Sequence, residues 1–411
     1  GLTIGVVMAF PAITAFSLEH INPGEAGVIG ALGSIITAAL SVLYGHKHPG
    51  RMFWIASTAG TIAAIGFALT RSADNPARGD ILWYGLMFVA VLLWCWGQVT
   101  GGTQNVLWGR VDEISPIDRL SRADLTHAMI DRLPERRRAV PAIRVESFGD
   151  KSKLDVVWLP VFEAAVMPHD RSAWHPVDTV HGRILGIGSL PALVGAQIRR
   201  ADVEGSGGAG ARWTLEGQGF DYGVSLQRAR SSQPYYRVLP GATVVLQAVH
   251  PISTVLGTEF ETEAAGATWR AEMAWSSDNP LTTTGLQYRT ARGLAWVVGA
   301  EFFPGDSETR VTLQLAGQSI HTAEAVLDRT RMTYLTGEVA HPFAQGRWRA
   351  DLRFSLGLND RDNYVNPRLA YTGMDQHELF MAAHLFGGAA NTLGGFYRRN
   401  DALTLGWQAK F

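Results

Sequence analysis

Residues Thr268–Trp275 read Thr-Trp-Arg-Ala-Glu-Met-Ala-Trp, and this alternation decides the fold expected for most of the chain. Successive side chains of an extended strand point to opposite faces. The apolar residues of the stretch therefore share one face and the charged ones the other, with Trp269, Ala271, Met273 and Trp275 opposed to Arg270 and Glu272. Such a stretch predicts a β-strand with one apolar and one wet face.

The same period of two recurs through the second half of the chain. In Arg347–Phe354 the charged side chains again share one face, which holds Arg347, Arg349, Asp351 and Arg353. Val311–Leu315 and Leu403–Phe411 repeat the alternation. Roughly a dozen such segments follow residue 192, and clusters of Gly, Asn, Asp and Pro separate them. This part of the chain is therefore predicted to form antiparallel β-strands.

Two observations favour a transmembrane β-barrel over a soluble β-fold for these strands. Aromatic residues crowd the apolar faces near the strand ends, as they do in the girdles of membrane barrels. The opposite faces carry charges of both signs, as a water-filled lumen would. A soluble β-fold stays the alternative. The charged strand residues are candidates for the lumen, namely Arg270, Glu272, Arg347, Arg349, Asp351 and Arg353.

Composition excludes several classes of function. The chain has 411 residues and a net charge of −1, which gives no support to nucleic-acid binding. Its one cysteine, Cys95, leaves no internal disulfide and no cysteine-cluster zinc site. The spacing of its histidines, carboxylates and glycines matches no metal, phosphate or cofactor site. No catalytic group is predicted, so an enzyme is not expected.

Residues 1–103 differ from the rest of the chain in charge. Of the 73 Asp, Glu, Lys and Arg residues, only 8 lie in this part. Uncharged runs of about 18 residues are long enough to cross a bilayer as helices. The apolar runs are Leu2–Phe16, Ala26–Leu43, Met52–Leu69 and Ile81–Val99. About four transmembrane helices are expected here, the first cut short as in a fragment, with a buried soluble helical bundle as the alternative.

Short motifs recur in the same part of the chain, namely Pro11-Ala12, Pro23–Ile29, Ala38–Leu43 and Gly79-Asp80, the last opening a span that holds Trp94. They resemble those of the EamA-type drug/metabolite transporters of the inner membrane. The resemblance covers residues 1–103, about four of the family's usual ten spans, and departs from the family at His46-Lys47. It implies a carrier fragment too short to form the family's two-repeat path.

Four further motifs follow one another in residues 104–411, namely Trp108–Asp118, Val157–Glu163, Gly257–Glu261 and Gly387–Arg398. They resemble an uncharacterised family of Gram-negative outer-membrane barrels, a domain of unknown function. The resemblance implies a barrel that is incomplete on its N-terminal side, because the family has several strands before its Trp-Gly-Arg motif. It also implies a barrel-assembly signal in the last strand, carried by Leu405, Trp407 and Phe411.

The motif Trp108–Asp118 is the densest polar cluster of the sequence, and it holds Arg110, Asp112, Glu113 and Asp118. Two interpretations stay open. One is an inward-folded constriction in which Arg110 and the acids line a pore. The other is a structural turn held by an Arg–Asp pair, with Ser and Pro setting the backbone.

The sequence therefore predicts a mixed membrane protein with three parts. Residues 1–103 are the helical segment, residues 104–191 hold the Trp-Gly-Arg motif, a short helix over Asp124–Arg138 and the first strands, and residues 192–411 are the barrel strands. Helical spans and an outer-membrane barrel do not belong in one bilayer. A junction between two genes, a rearranged gene and helices packed on a barrel are the open explanations.

Three functions follow from these patterns. The first is porin-like passive transport of small or amphipathic solutes, which the sequence does not identify. The second is a fragment of an inner-membrane carrier with an incidental barrel tail, and the third is a structural outer-membrane protein without transport. The expected partners are the lipid bilayer and the barrel-assembly machinery. The barrel part is expected in the outer membrane, whereas the helices would favour the inner membrane.

Overall fold

The computed structural model describes residues 98–411, except 112, 128–129, 131–136, 202, 307 and 410–411, together with the isolated residues 58 and 62. Its strands, numbered in chain order, are β1 (Gln98–Gln104), β2 (Arg122–Ala123), β3 (Arg137–Arg138), β4 (Val140–Phe148), β5 (Ser152–Leu159), β6 (Val177–Asp178), β7 (Arg183–Ile184), β8 (Gly188–Ser189), β9 (Gln197–Arg199), β10 (Gly208–Glu216), β11 (Phe220–Arg230), β12 (Tyr235–Leu239), β13 (Val245–Val249), β14 (Ile252–Ala264), β15 (Ala267–Thr282), β16 (Tyr288–Phe302), β17 (Arg310–His321), β18 (Arg331–Phe343), β19 (Trp348–Gly357), β20 (Asp362–Met374), β21 (His377–Gly388) and β22 (Ala402–Ala409). A short helix, α1 (Leu393–Phe396), and two 3₁₀ turns, Pro191–Leu193 and Pro304–Asp306, complete the elements.

The chain divides into two compact units, which are described separately. The first comprises Gly1–Gln104, Pro141–Pro160 and Ala211–Glu216, and the second comprises Asn105–Val140, Val161–Gly210 and Gly217–Phe411. In the first unit the strand order is β1-β4-β5-β10. Strands β4 and β5 pair antiparallel, from Ile143 opposite Trp158 to Phe148 opposite Lys153. Within this pair Arg144 donates from Nε to Asp155 Oδ1 at 2.8 Å.

The main sheet of the second unit is an antiparallel meander. Its order is β11-β14-β15-β16-β17-β18-β19-β20-β21-β22, so each strand pairs with the next one of the sheet along the chain. Bulges shift the register between Ser276 and Asn279 of β15 and between Tyr371 and Met374 of β20. Long antiparallel strands joined in sequence are what the period of two predicts.

Burial in this sheet is the reverse of that in a water-soluble sheet. On β15 the Met273 side chain is 48 % exposed, whereas Glu272 next to it is 2 % exposed. Strand β19 repeats the pattern, because Leu352 is exposed while Asp351 and Arg353 are buried. We call the side with the exposed apolar residues the apolar face and the other the polar face. The predicted division of β15, β17, β19 and β22 into two unlike faces is confirmed.

The two ends of the sheet differ in the length of their connections. At one end residues 265–266, 344–347 and 375–376 make tight turns, where Ala265 and Gly266 both adopt positive φ, as a two-residue hairpin turn requires. The seven residues 303–309 are the longer connection at this end. At the other end 231–251, 322–330 and 389–401 are long, whereas 283–287 and 358–361 are short. The longest loops thus lie at one end, as in outer-membrane barrels.

Residues 161–210 and the segment 231–251 together form a small layer of their own. Strands β12 and β13 pair antiparallel, and β9 adds parallel to β13. A hydrophobic cluster holds this layer together, and its buried members include Val177, Leu193, Tyr236 and Leu246. Asp328, in the β17–β18 loop, ties the layer to the main sheet because it accepts from Tyr235 Oη at 2.9 Å and from the Thr282 amide at 2.6 Å. Burial raises the pKa of the Asp328 carboxyl.

The mixed fold class, with four helical spans before a barrel, is wrong. The described structure is a β-protein, and no N-terminal helical part is shown. Among the described residues no helix has the length and apolar character needed to span a membrane. The four apolar runs lie almost entirely outside the described residues. Where the fourth run ends, Gln98–Gln104 forms strand β1, because two adjacent glycines disfavour a helix and β-branched residues beside them favour a strand.

The short helix predicted over Asp124–Arg138 does not form in the described residues of that range. At its start Asp124 makes a β-bridge with Val166, and residues 126–127 are in a turn. Arg137 and Arg138 form strand β3, which pairs antiparallel with Arg122 and Ala123 of β2. Residues 131–136 of the predicted helix lie outside the described residues. Pairing with β2 therefore determines the extended backbone conformation of the two arginines and overrides their high helix propensity.

Candidate functional site

Residues 105–121, which contain the Trp-Gly-Arg motif and are called the WGR segment below, lie against the polar face of the main sheet. Trp108 and Ile117 are both 1 % exposed. Trp108 needs Gly210 beside it, because a Cβ on that glycine would come within 3.0 Å of the indole ring. Ile117 packs with Val255 and Ala274, which belong to β14 and β15. The segment is thus a packed element over the sheet.

Arg110 binds the WGR segment to β11 and β14. Its Nε donates to Glu259 Oε1 at 3.0 Å, and its Nη1 donates to Asp221 Oδ2 at 3.2 Å. Glu261 Oε2 lies 3.7 Å from the same Nη1. One guanidinium therefore faces three carboxylates, and removing it would leave the buried Glu259 without this counter-charge.

The side chain of Glu272, on β15, holds the WGR segment mainly by accepting from main-chain amides of that segment. Its Oε1 accepts from the amide of Arg110 at 2.5 Å and from the amide of Val111 at 3.1 Å, while its Oε2 accepts from Ser115 Oγ at 2.7 Å. Gly109 is required between these contacts, because its φ is +129° and a Cβ there would lie 2.2 Å from Ser115 Oγ. Charge-assisted hydrogen bonds to a buried carboxylate are stronger than neutral ones.

Glu113 extends the attachment to β19. Its Oε2 accepts from Arg353 Nη2 at 2.7 Å and from Nε at 3.1 Å. Between the two attachments Val111 packs with Val297 and Ala316, which lie on β16 and β17. The segment therefore crosses the polar face from β11 to β19, and this course places charged side chains over a wide part of that face.

Asp118 and Arg137 form an ion pair at the end of the segment. Ser121 Oγ also donates to Asp118 Oδ1, at 2.5 Å. Burial raises the pKa of the Asp118 carboxyl, while Arg137 lowers it by stabilising the charged form. The backbone turns at Pro116 and Ile117, so the segment contains a turn stabilised by an Arg–Asp pair and also lies over the polar face.

Among the described residues, the predicted lumen and assembly-signal residues outside the WGR segment lie on the polar face, in a turn or on β22. Arg270 donates to Glu261 at 3.1 Å, and Arg349 donates to Asp351 at 3.0 Å and to Glu378 at 3.4 Å, so these lie on the polar face. Arg347 lies exposed in the β18–β19 turn, where its Nε donates to the Ala344 carbonyl. Leu405 and Trp407 are exposed on β22. Asp112 and Phe411 lie outside the described residues.

Several partners of these residues were missed from the sequence. They are Asp221, Glu259, Glu261, Arg137, Arg368 and Glu378. The alternation of Gly257–Glu261 places Glu259 and Glu261 on one face and could have indicated them as lumen residues. Asp221 shares a face with Ser225 and Gln227 in the alternation of β11, so the same signal could have indicated it.

A cavity of about 350 Å³ lies between the WGR segment and the ends of β11, β14 and β15 at the long-loop end of the sheet. Glu113 and Asp118 line it from the segment, and Ser253 and Asp278 line it from the strands. Within the described residues no group of three or more His, Cys, Asp and Glu is arranged to hold a metal ion. The lining of the cavity offers ion-paired side chains and serine hydroxyls.

No family model matches the chain. One curated protein, an uncharacterized transporter of Bacillus subtilis named YdeK, is 32 % identical over 114 residues, which are 27 % of this chain and 40 % of the transporter. The chain thus spans about two fifths of the length of that relative.

Solved structures with some likeness are porins of the outer membrane. A triple mutant of the Rh. blastica porin has a TM-score of 0.33 at 11 % identity over 67 % of this chain and 78 % of the porin. The KdgM porin, solved with disordered oligogalacturonate, has a TM-score of 0.22 at 10 % identity over 50 % of this chain and 94 % of the porin. OmpT of Vibrio cholerae, expressed in the outer membrane, has a TM-score of 0.31 at 10 % identity, over 67 % of this chain and 76 % of OmpT.

Proposed function

We propose that the chain forms a porin-like pore in an outer membrane and lets small or amphipathic solutes pass. The observation that carries this proposal is the reversed burial of the main sheet. Large apolar side chains such as Met273 and Leu352 are exposed, while Glu272, Asp351 and Arg353 are buried. Water does not favour such an apolar surface, whereas lipid does, and a sheet that turns charges away from lipid is the usual form of a membrane barrel.

The WGR segment acts as the constriction in this proposal. It lies on the polar face and carries Arg110 and Glu113, whose partners Glu259 and Arg353 belong to different strands of the sheet. A segment held at two distant points of a pore wall narrows the pore and sets the charges that a solute meets.

Conductance in a planar bilayer tests the proposal. The purified chain, refolded in lipid, is expected to give discrete current steps, because a polar lumen conducts ions. A chain that inserts into the bilayer with strand content intact and gives no steps would contradict the pore and favour a structural outer-membrane protein. Circular dichroism of the same vesicles provides the control for folding.

The last strand is the proposed contact with the barrel-assembly machinery. β22 ends the strand order of the sheet, and Leu405 and Trp407 are 74 % and 65 % exposed on it. The double variant Leu405→Asn with Trp407→Ser is expected to lower the amount of chain in the outer-membrane fraction. The double variant Leu256→Asn with Trp275→Ser, also on the apolar face, is the control. Equal losses for both would contradict a special role of β22.

We also infer a relationship between part of this chain and EamA-type carriers. The resemblance of residues 1–103 to that family and the match to the Bacillus transporter support it. Separation of inner and outer membranes tests which function dominates. Sedimentation of the chain with the outer membrane is expected, whereas sedimentation with the inner membrane would favour the carrier fragment.

A further inference from the structure

The cavity beside the WGR segment is lined by hydroxyl groups and by charges of both signs. Its hydroxyls come from Ser115, Ser121, Ser231, Ser232, Ser253 and Ser276. Its charged side chains are three acids and three arginines, so the lining as a whole is neutral. A cavity of about 350 Å³ with a neutral, hydroxyl-rich lining is large enough to hold a small polar molecule.

Four of the six charged side chains are already in ion pairs. Glu113 pairs with Arg353 at 2.7 Å, and Arg122 pairs with Glu163 at 2.8 Å. Asp118 and Arg137 pair with each other. These groups have their counter-charges from the protein and do not require them from a ligand.

Arg119 is the first of the remaining two. It lines the cavity, is exposed, and donates from Nε to the Pro116 carbonyl at 3.1 Å. Its one charged neighbour among the described residues is Asp118, and the carboxylate of Asp118 already forms an ion pair with Arg137. The Nη groups of its guanidinium are therefore available to an anion, and a carboxylate matches their geometry.

Asp278 is the second, and its charge is opposite. Its carboxylate accepts from two hydroxyls, those of Ser277 and of Thr290, the latter at 3.2 Å. Neither hydroxyl carries a charge, and Asp278 has no ion pair among the described residues. Its carboxylate is therefore available to a cation on the strand side of the cavity.

From these two groups we infer that the cavity binds a small zwitterionic solute of the amino-acid type. Its carboxylate faces Arg119 and its ammonium faces Asp278, while the serine hydroxyls surround the polar part between them. A simple anion would meet Asp278 uncompensated and a simple cation would meet Arg119, so each would be disfavoured. The inference deepens the proposed pore function and rests on it, because it names the solute class that the constriction favours.

Proteoliposome swelling with four small solutes of similar size tests the inference. Serine is the zwitterion, glycerate the anion, ethanolamine the cation and glycerol the neutral reference. Serine is expected to enter faster, relative to glycerol, through the unaltered chain than through Arg119→Gln or Asp278→Asn. Arg289→Gln, which alters an exposed arginine outside the cavity, is the control and is expected to keep the preference.

Direct binding of serine, measured by ligand-observed NMR on the refolded chain, separates the site from the pore. Each single variant is expected to weaken binding about tenfold, the loss of one charge-assisted contact. The exchanged pair Arg119→Asp with Asp278→Arg is expected to bind more tightly than either single variant. Serine binding without any swelling would contradict the pore and keep the site. Swelling without a serine preference, or binding unchanged in both single variants, would overturn the zwitterion site.

Discussion

The variant Glu272→Ala is expected to release the WGR segment from the sheet and to raise the single-channel conductance severalfold. Glu272 accepts from two main-chain amides of the segment and from Ser115, and alanine accepts from none of them. Buried donors left without partners cost about 2–5 kcal/mol in total, which is enough to favour displacement of the segment. Planar-bilayer recording at fixed salt measures the conductance.

Glu263→Ala is the matched control for this variant. Glu263 lies exposed near the end of β14, so its loss is expected to leave the conductance unchanged. Limited proteolysis reports separately whether the WGR segment has become accessible. A released segment with unchanged conductance would contradict its role as the constriction.

The variant Met273→Arg is expected to destabilise the chain in lipid by about 2–4 kcal/mol, the cost of an arginine on the lipid face near the middle of the bilayer. Met273 is exposed and lies near the middle of β15. In a water-soluble sheet an arginine at such an exposed position would change stability little. Urea unfolding of the chain in lipid vesicles, followed by tryptophan fluorescence, measures the difference.

Val180→Arg is the control for Met273→Arg. Val180 is 76 % exposed in the segment between β6 and β7, outside the main sheet. Its replacement is expected to leave the free energy of unfolding within about 0.5 kcal/mol, as for ordinary surface changes. Similar losses for the two variants would mean that the apolar face is not in contact with lipid.

The strands could be predicted because their signal is local. Thr268–Trp275 and Arg347–Phe354 show the period of two directly, and β15 and β19 expose the predicted faces. The apolar side chains were expected to face lipid, and their exposure agrees with that expectation. A period of two requires only the neighbouring residues, so one sequence is enough to find it.

The partners of the WGR segment could not be predicted because they are distant in sequence. Arg110 and Glu259 are 149 residues apart, and Glu113 and Arg353 are 240 apart. Such pairs depend on the strand register and on the path of a segment without regular structure. The local signal also fails at the ends of strands. Alternation predicted Arg347 on the charged face, but Arg347 lies in the β18–β19 turn and is exposed.

Spin-label scanning along β19 tests directly whether the apolar face of the main sheet contacts lipid. Cys95 is replaced by serine, and single cysteines are placed from 348 to 354 in the chain refolded in vesicles. Labels at 348, 350 and 352 are expected to collide readily with oxygen, which concentrates in lipid, and labels at 349, 351 and 353 are expected to be shielded from it. Alternating oxygen accessibility, high at the even positions, is the expected result for a lipid-facing apolar side. Equal oxygen accessibility at all positions, or nickel-complex accessibility at 348, 350 and 352, would show the apolar face in water and would contradict it.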